Sequence, residues 1–323
     1  MKEVVILVTR QALIAAVGNT RYMFEKVNSF LENSGADPLF DVQLVAAEEE
    51  ISLDEGVYSV RPDLLLKDRS TPDLIIIPPT SGSMESCIEN NQDYIDWMVR
   101  KHDQGAEIAS LCVGAYLLAE SGLLSGMECS THWQTSNQFK NRFPDIKLVD
   151  WKILTDHNGL YTSGGANSYW NLLVYLVQKY TSREIAILTA KYFEVEMSRN
   201  SQSNFLIFEG FKQHGDETIK EVQEFIEQNF EEKLTIEDLC DGYPYSRRTF
   251  QRRFKLATHY TVVEYIQKVR MEAAKKLLEQ GDQTIQEIMY GVGYTDPKAF
   301  RDVFRKNVGC TPLSYKKKYS SVH

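Results

Sequence analysis

Leu234-Thr-Ile-Glu-Asp-Leu-Cys-Asp-Gly-Tyr-Pro-Tyr-Ser246-Arg-Arg-Thr-Phe250-Gln-Arg-Arg-Phe254 has a second copy downstream, Gln283-Thr-Ile-Gln-Glu-Ile-Met-Tyr-Gly-Val-Gly-Tyr-Thr295-Asp-Pro-Lys-Ala-Phe300-Arg-Asp-Val-Phe304. Phe250 matches Phe300, Phe254 matches Phe304, and further on Tyr265 matches Tyr315. Each copy is a short helix with apolar periodicity, a break, and a hydroxyl residue (Ser246 or Thr295) in N-cap position before a second helix. That is the outline of a helix-turn-helix, whose second helix fits the DNA major groove. Two in tandem predict a two-pronged reader of double-stranded DNA.

Charge agrees with this once it is divided along the chain. The 323 residues carry a net −9. From Gly242 onward there are 16 Lys and Arg against 7 Asp and Glu, and before it 20 against 38. A basic end on an acidic body is expected where one end meets phosphate and the other does not. Hydrophobic content of 43% and charged content of 25% suit a chain of two cored domains. The sequence has no run of eighteen apolar residues and no signal-peptide pattern, so no membrane partner is expected. Cys87, Cys112, Cys129, Cys240 and Cys310 have neither metal-ligand spacing nor the density of a disulfide framework. Nothing calls for a metal or a cofactor, and a reducing cytoplasm is the expected location.

The first two-thirds alternates β-rich runs with helical stretches, as an α/β sheet does. Strands are expected at Val4–Thr9, Val42–Ala46, Leu74–Pro78 and Glu107–Leu111, with edge strands and a hairpin around Asn158-Gly159 from residues 127–131, 147–154 and 159–163. Helices are expected at 20–33, 90–104, 113–121, 168–180 and 183–194. The polar stretch Met197–Asn204 reads as a loop leaving this domain. The division expected is therefore 1–195, a linker over 196–217, and an all-helical 218–323. In the last part, Thr218–Asn229 is a lead-in helix. Val262–Gln280 is a long helix with Val263, Ile266, Val269, Ala273, Leu277 and Leu278 on one buried face and Gly281 as its stop. Phe250, Phe254, Phe300 and Phe304, spaced i, i+4, are core.

Residues 218–319 resemble the DNA-binding domain of the AraC/XylS family of regulators. The second copy carries the pattern in Ile288, Gly291, Val292, Gly293, Tyr294, Asp296, Phe300, Phe304, Gly309, Pro312 and Tyr315. The resemblance implies two recognition helices in successive major-groove segments, about 34 Å apart. On the first, Ser246, Arg247, Arg248, Gln251, Arg252 and Lys255 are the DNA-facing candidates. Arg248, Gln251 and Arg252 suit base edges, because Arg pairs bidentately with guanine and Gln with adenine. On the second they are Thr295, Asp296, Lys298, Arg301, Asp302 and Arg305. Lys306 and Lys316–Lys318 suit phosphate. The first copy departs from the pattern, with Pro244 and His259 where Gly is usual and Val262 where Pro is common.

In the other half, Ile108-Ala-Ser-Leu-Cys112-Val-Gly114-Ala-Tyr-Leu-Leu-Ala119 runs an apolar strand into a Cys and then a small-residue helix, the layout of a nucleophile elbow. A Cys at a helix amino terminus is expected to favour thiolate. Ala119-Glu-Ser-Gly-Leu-Leu-Ser-Gly126, Thr131-His132-Trp133 and Tyr161-Thr-Ser-Gly-Gly165 follow it. Together these resemble the ThiJ/PfpI superfamily over about residues 1–195. That implies a flavodoxin-like α/β sandwich of the class I glutamine amidotransferase type, ahead of the all-α domain with two helix-turn-helix motifs.

In regulators that combine the two, the enzyme-like domain is thought to sense a small molecule, often nitrogen-containing. Val113 stands where superfamily enzymes often have His, and Gln11–Gly18 lacks their acidic residue, so Cys112 is expected to line a pocket without turnover. The expected ligand-binding set is Cys112, Val113, Thr80, Gly82, His132, Trp133, Ser163, Gly164 and Asn167. Trp133, Tyr169 and Trp170 would suit an ammonium group if exposed. The expectation is a homodimeric, non-enzymatic transcription regulator whose partners are promoter DNA, a small-molecule effector and RNA polymerase. The alternatives are a Cys-dependent hydrolase or hydratase with a DNA-binding appendage, and a redox sensor at Cys112.

Overall fold

Strict alternation along two apolar strands builds the first unit. In β1 (Lys2–Leu7), Val4 and Ile6 enter one core while Val5 and Leu7 enter a second. In β6 (Leu74–Ile77), Leu74 and Ile76 follow the first pair, and Ile75 and Ile77 the second. A strand buried on both faces needs helices above and below it. The computed structural model describes residues 1–68, 71–197, 201–212 and 214–320, and it divides into two units between Gln202 and Ser203.

The first unit runs β1, α1 (Ile14–Asn33), β2 (Phe40–Ala46), a hairpin of β3 (Ile51–Leu53) and β4 (Tyr58–Val60), β5 (Leu64–Leu65), β6 (Leu74–Ile77), α2 (Met84–Asn90) and α3 (Gln92–Asp103). It continues with β7 (Glu107–Ser110), α4 (Ala115–Glu120), β8 (Glu128–Cys129), α5 (Ser136–Arg142), β9 (Lys147–Leu148), β10 (Leu154–His157), β11 (Leu160–Ser163), α6 (Ser168–Tyr180) and α7 (Arg183–Tyr192). The main sheet has the order β10-β11-β7-β6-β1-β2-β5 and is parallel except for β10 against β11. Helices α1, α6 and α7 cover one face and α2 to α5 the other. This is the flavodoxin-like sandwich. The β10–β11 hairpin turns at Asn158 and Gly159, both left-handed at φ 51° and 87°. That is the turn in which Asn-Gly is favoured. Strand order reverses beside β1, so the loops after β1, β6, β7 and β11 share the carboxyl edge where such sheets place ligands.

The second unit holds α8 (Glu217–Gln228), α9 (Ile236–Cys240), α10 (Arg247–Thr258), α11 (Val262–Gln280), α12 (Ile285–Gly291), α13 (Pro297–Val308) and α14 (Pro312–Tyr319). Thr235, Thr261 and Thr284 open α9, α11 and α12 with capping boxes completed by Asp238, Glu264 and Glu287. Each box satisfies amino-terminal N–H groups that the helix cannot bond itself. The unit has two cores. Phe250, Phe254, Val262, Tyr265 and Val269 belong to one, and Met271, Leu278, Ile288, Phe300, Phe304 and Tyr315 to the other. Helix α11 serves both. Its buried face differs from the expected one: Val262 and Tyr265 are buried, Val263 is half exposed, and Ala273 and Leu277 pack only partly. The apolar stripe begins one residue earlier, at Val262.

Of the stretch expected as a linker (196–217), residues 198–200 and 213 lie outside the described residues. Phe208 packs against the first core of the helical unit, and Phe211 is buried with its ring 6.0 Å from His214 and 6.1 Å from His259. No helix among the described residues is long and apolar enough to cross a membrane.

Candidate functional site

Helices α10 and α13 use their residues alike. Phe250, Phe254 and Ala257 turn inward on α10, as do Phe300, Phe304 and Val308 on α13. The spacing i, i+3, i+4, i+7 collects one helix face. On α10 that outward face is Arg248, Gln251, Arg252 and Lys255, with Gln251 half-buried and the others exposed. Fifty residues on, α13 places Lys298, Arg301, Asp302 and Arg305 outward, all exposed, with Lys306 beside them. Among the described residues the five cations Arg248, Arg252, Lys298, Arg301 and Arg305, with Lys255 and Lys306, form no ion pair. Arg247 instead pairs with Glu237. Arg253 pairs with Asp216 at 2.8 Å and lies 4.2 Å from the Tyr245 ring centroid. It braces the helix rather than facing outward.

The two turns differ. Ser246 caps α10 by accepting from the Thr249 N–H at 3.3 Å. On α13 the cap is Asp296, which accepts from the Lys298 N–H at 2.9 Å, with Pro297 in the first turn. Thr295 is therefore not the N-cap expected from the repeat, because the second turn is one residue longer. A Pro whose missing N–H needs no partner is at home in a first turn. His259 ends α10 at φ 65°, where Gly309 ends α13 at φ 84°. A side chain in that left-handed well costs about 1 kcal/mol.

At the edge of the sheet, Cys112 follows β7 at φ 55°, the strained backbone of an elbow. Its N–H donates to Ser163 Oγ at 3.1 Å, and its carbonyl accepts from Thr131 Oγ1 at 3.1 Å. Gly114 has to be glycine, since a Cβ there would lie 2.7 Å from the Pro78 carbonyl oxygen. The elbow is thereby pressed onto the end of β6. The thiol is not the thiolate expected from its position. It is buried, and burial pushes its pKa up to about 11. Desolvation outweighs the hydrogen bond from the backbone at Val113.

Val113 is half-buried beside it. His132 accepts from the Gln134 N–H at 3.1 Å, and burial lowers its pKa, favouring neutral imidazole. Its ring and that of Trp133 lie 5.5 Å apart against Gly165. Ser163 and Gly164 are buried beneath them, whereas Asn167 is exposed at the start of α6. Thr80 and Gly82 belong to a neighbouring corner. Thr80 accepts from the Cys87 thiol at 3.2 Å and pairs by backbone with Ala12, and Gly82 faces the Gln11 side chain. Tyr169 is buried, stacked on Trp170 and bonded to Asn19, so it is not an exposed cation cage.

Two residues of this edge escaped sequence reading. Gln11 adopts φ 71°, and its Oε1 is buried with no hydrogen-bond partner among the described residues. Gln202 is buried against Gly164 and Gly165. Neither carries a local signal, since Gln202 sits in a polar stretch that looks like loop and Gln11 stands at the head of an apolar run with nothing to mark it.

The raised thiol pKa has a direct consequence. In the native chain at pH 7.5, iodoacetamide should leave Cys112 unmodified while urea-unfolded protein labels all five cysteines. Native labelling should then rise about tenfold per pH unit towards pH 10, because only thiolate reacts. Mass spectrometry of the Cys112 peptide reads this directly, and rapid labelling that levels off near pH 7 would show an activated thiolate instead.

Comparison with known proteins agrees with both halves. The DJ-1/PfpI family matches residues 27–179, and a helix-turn-helix domain family matches residues 239–318. The HTH-type transcriptional regulator GbdR of Pseudomonas aeruginosa is 24% identical over 254 residues, covering 78% of this chain and 68% of GbdR. The bifunctional transcriptional activator/DNA repair enzyme AdaA of Bacillus subtilis is 40% identical over 108 residues, which is 32% of this chain and 50% of AdaA. A solved putative transcriptional regulator from Vibrio parahaemolyticus shares the fold with a TM-score of 0.53 and 21% identity, covering 59% of this chain and 98% of its own. A sheet domain of one family and a paired reader of the other, in one chain aligned across both with named regulators, make this protein an AraC-type helix-turn-helix transcriptional regulator with an amino-terminal DJ-1/PfpI domain.

Proposed function

We propose that this regulator reads two successive major-groove segments of a promoter through α10 and α13, under the control of a small molecule bound at the carboxyl edge of its α/β sheet. The observation that carries the DNA half is the recurrence of one outward ladder, 248/251/252/255 and 298/301/302/305, on two helices whose opposite faces are fully packed. Arg248, Gln251, Arg252 and Arg301 approach base edges; Lys255, Lys298, Arg305 and Lys306 approach phosphate. Ser246 and Asp296 hold the helix starts, and Arg247 is tied to Glu237.

The α/β domain acts here as a receptor rather than an enzyme. Cys112 is protonated, and the His132 imidazole, held towards its neutral form by burial, is engaged with its own backbone. A Cys-dependent hydrolase needs a thiolate and a base oriented towards it. Thr9 Oγ1, Gln11 Oε1 and Ser168 Oγ are buried at this edge without partners among the described residues. They supply polar groups for a ligand in a place where orphaned atoms are otherwise costly. Effector binding shifts the DNA equilibrium through its different affinity for two states of the protein, and dimerisation in the cytoplasm completes the reading.

The test is selection of genomic fragments by the full chain, followed by titration of the winning site. Arg252→Ala and Arg301→Ala should each weaken that site by about ten- to a hundredfold, the range for a lost base pair of contacts, and should relax preference at one position each. Uniform weakening on every sequence would reassign those arginines to phosphate. Failure of the folded chain to enrich any fragment would sink the reading.

A further inference from the structure

Gln202 is 1% exposed, and every polar atom of its amide is engaged. Its Oε1 accepts from the Gly165 N–H at 2.6 Å. Its Nε2 donates to the Asp150 carbonyl at 2.7 Å and the Thr131 carbonyl at 3.3 Å. The amide lies so close to Gly164 that a Cβ there would sit 2.4 Å from both its nitrogen and its oxygen. The result is a slot bounded by one N–H and two carbonyls, with a bare glycine as its floor.

Those groups select for one chemistry. A primary carboxamide has an acceptor for the N–H and two donors for the carbonyls. A carboxylate would turn oxygens towards two carbonyl oxygens, and an ammonium would leave the Gly165 N–H unmet in a buried place. The slot also adjoins Cys112. Thr131 bonds the Cys112 carbonyl through its hydroxyl, and Ser163, the residue before Gly164, bonds the Cys112 N–H.

We propose that the slot formed by Gly164, Gly165, Thr131 and Asp150 is a carboxamide-recognising subsite of the effector site, that Gln202 fills it as an internal stand-in, and that an effector bearing a primary carboxamide binds by displacing Gln202. The inference rests on the reading of this sheet edge as the effector site. It also gives the signal a route. Gln202 is the last residue of the first unit. The residues just beyond it are fastened in the helical unit, where the Leu206 carbonyl accepts from Lys275 Nζ and the Phe208 N–H donates to Glu272. Releasing the glutamine frees the chain at the point where it leaves the α/β domain.

The experiment uses the full chain with Gln202→Ala, which removes CH2CONH2 from the slot, and acetamide as the probe. Thermal unfolding should show a saturable rise in Tm with acetamide in the variant, half-maximal at a concentration about tenfold or more below that needed by wild type, whose slot is occupied. Acetate should have no such effect. An equal response of the two chains, or an equal effect of acetate, overturns the proposal. If Gln202→Ala does not fold, Gln202→Met keeps the bulk and loses the bonds. Exchange of the Gly165 N–H should then be about tenfold or more faster than in wild type, and unchanged exchange overturns the slot. DNA retention by wild type is measured alongside. An absent acetamide response with DNA binding intact defeats the slot alone, whereas loss of DNA binding by wild type defeats the regulator reading.

Discussion

Phe254→Ala should abolish DNA binding without touching a single DNA-facing residue. Phe254 is fully buried, 5.4 Å from the Tyr265 ring in an edge-to-face pair and 6.1 Å from Phe250. Truncating a phenylalanine in such a place costs about 3–5 kcal/mol, from lost apolar burial and from the cavity left behind. Domains of this size have about 5–15 kcal/mol in all, so the first lobe loses a large share of its margin. Urea unfolding followed by circular dichroism should show an early helical transition that wild type lacks, while the α/β transition keeps its midpoint. Arg252→Ala is the matching control, losing affinity with no change in either midpoint. If Phe254→Ala unfolded like wild type, the packing described for α10 would be wrong.

Raising salt from 50 to 200 mM should weaken binding by about a thousandfold. The slope of log affinity against log salt is about −0.9 for each phosphate neutralised. Seven cations on α10 and α13 are in no close ion pair among the described residues: Arg248, Arg252, Lys255, Lys298, Arg301, Arg305 and Lys306, although Glu264 lies within the electrostatic reach of Lys255 and Lys306. Four of these, Lys255, Lys298, Arg305 and Lys306, are assigned to phosphate, and the exposed Lys317 and Lys318 of α14 bring the number to about six, so a fourfold rise in salt gives the stated loss. Lys306→Ala should reduce the slope by about one, and Arg247→Ala should change it less, because Arg247 is already paired with Glu237. Filter binding at four salt concentrations measures both, and a slope shallower than about −2 would mean that these faces do not meet DNA.

Much of this was legible in the sequence, for physical reasons. The sandwich could be read because strands buried on two faces are continuous apolar runs, as at Leu74–Ile77, and because Asn158-Gly159 can hardly be anything but a tight hairpin. The reading helices could be read because Phe250, Phe254, Phe300 and Phe304 repeat at helical spacing. What failed was local and depended on a single residue. Thr295 looked like a cap because the repeat suggested turns of equal length, but Asp296 with Pro297 behind it makes the better start. Two adjacent valines leave the phase of a helical stripe open, and in α11 it is Val262, not Val263, that is buried. At Cys112, position in an elbow suggested a thiolate, but desolvation governs the proton, and burial is a property of the whole packed edge. Gln202 could not be found at all, because its partners lie 37 to 71 residues away in sequence.

Helix α11 has one further consequence. Its 19 residues, with no break between the segment in the first core and the segment in the second, make a rod of about 28 Å. It joins two binding modules as a stiff spacer, so once one has engaged, the other faces DNA at a fixed effective concentration and a fixed phase. The target should therefore tolerate changed bases within a half-site far better than one base pair inserted between half-sites, which would rotate the second groove out of reach.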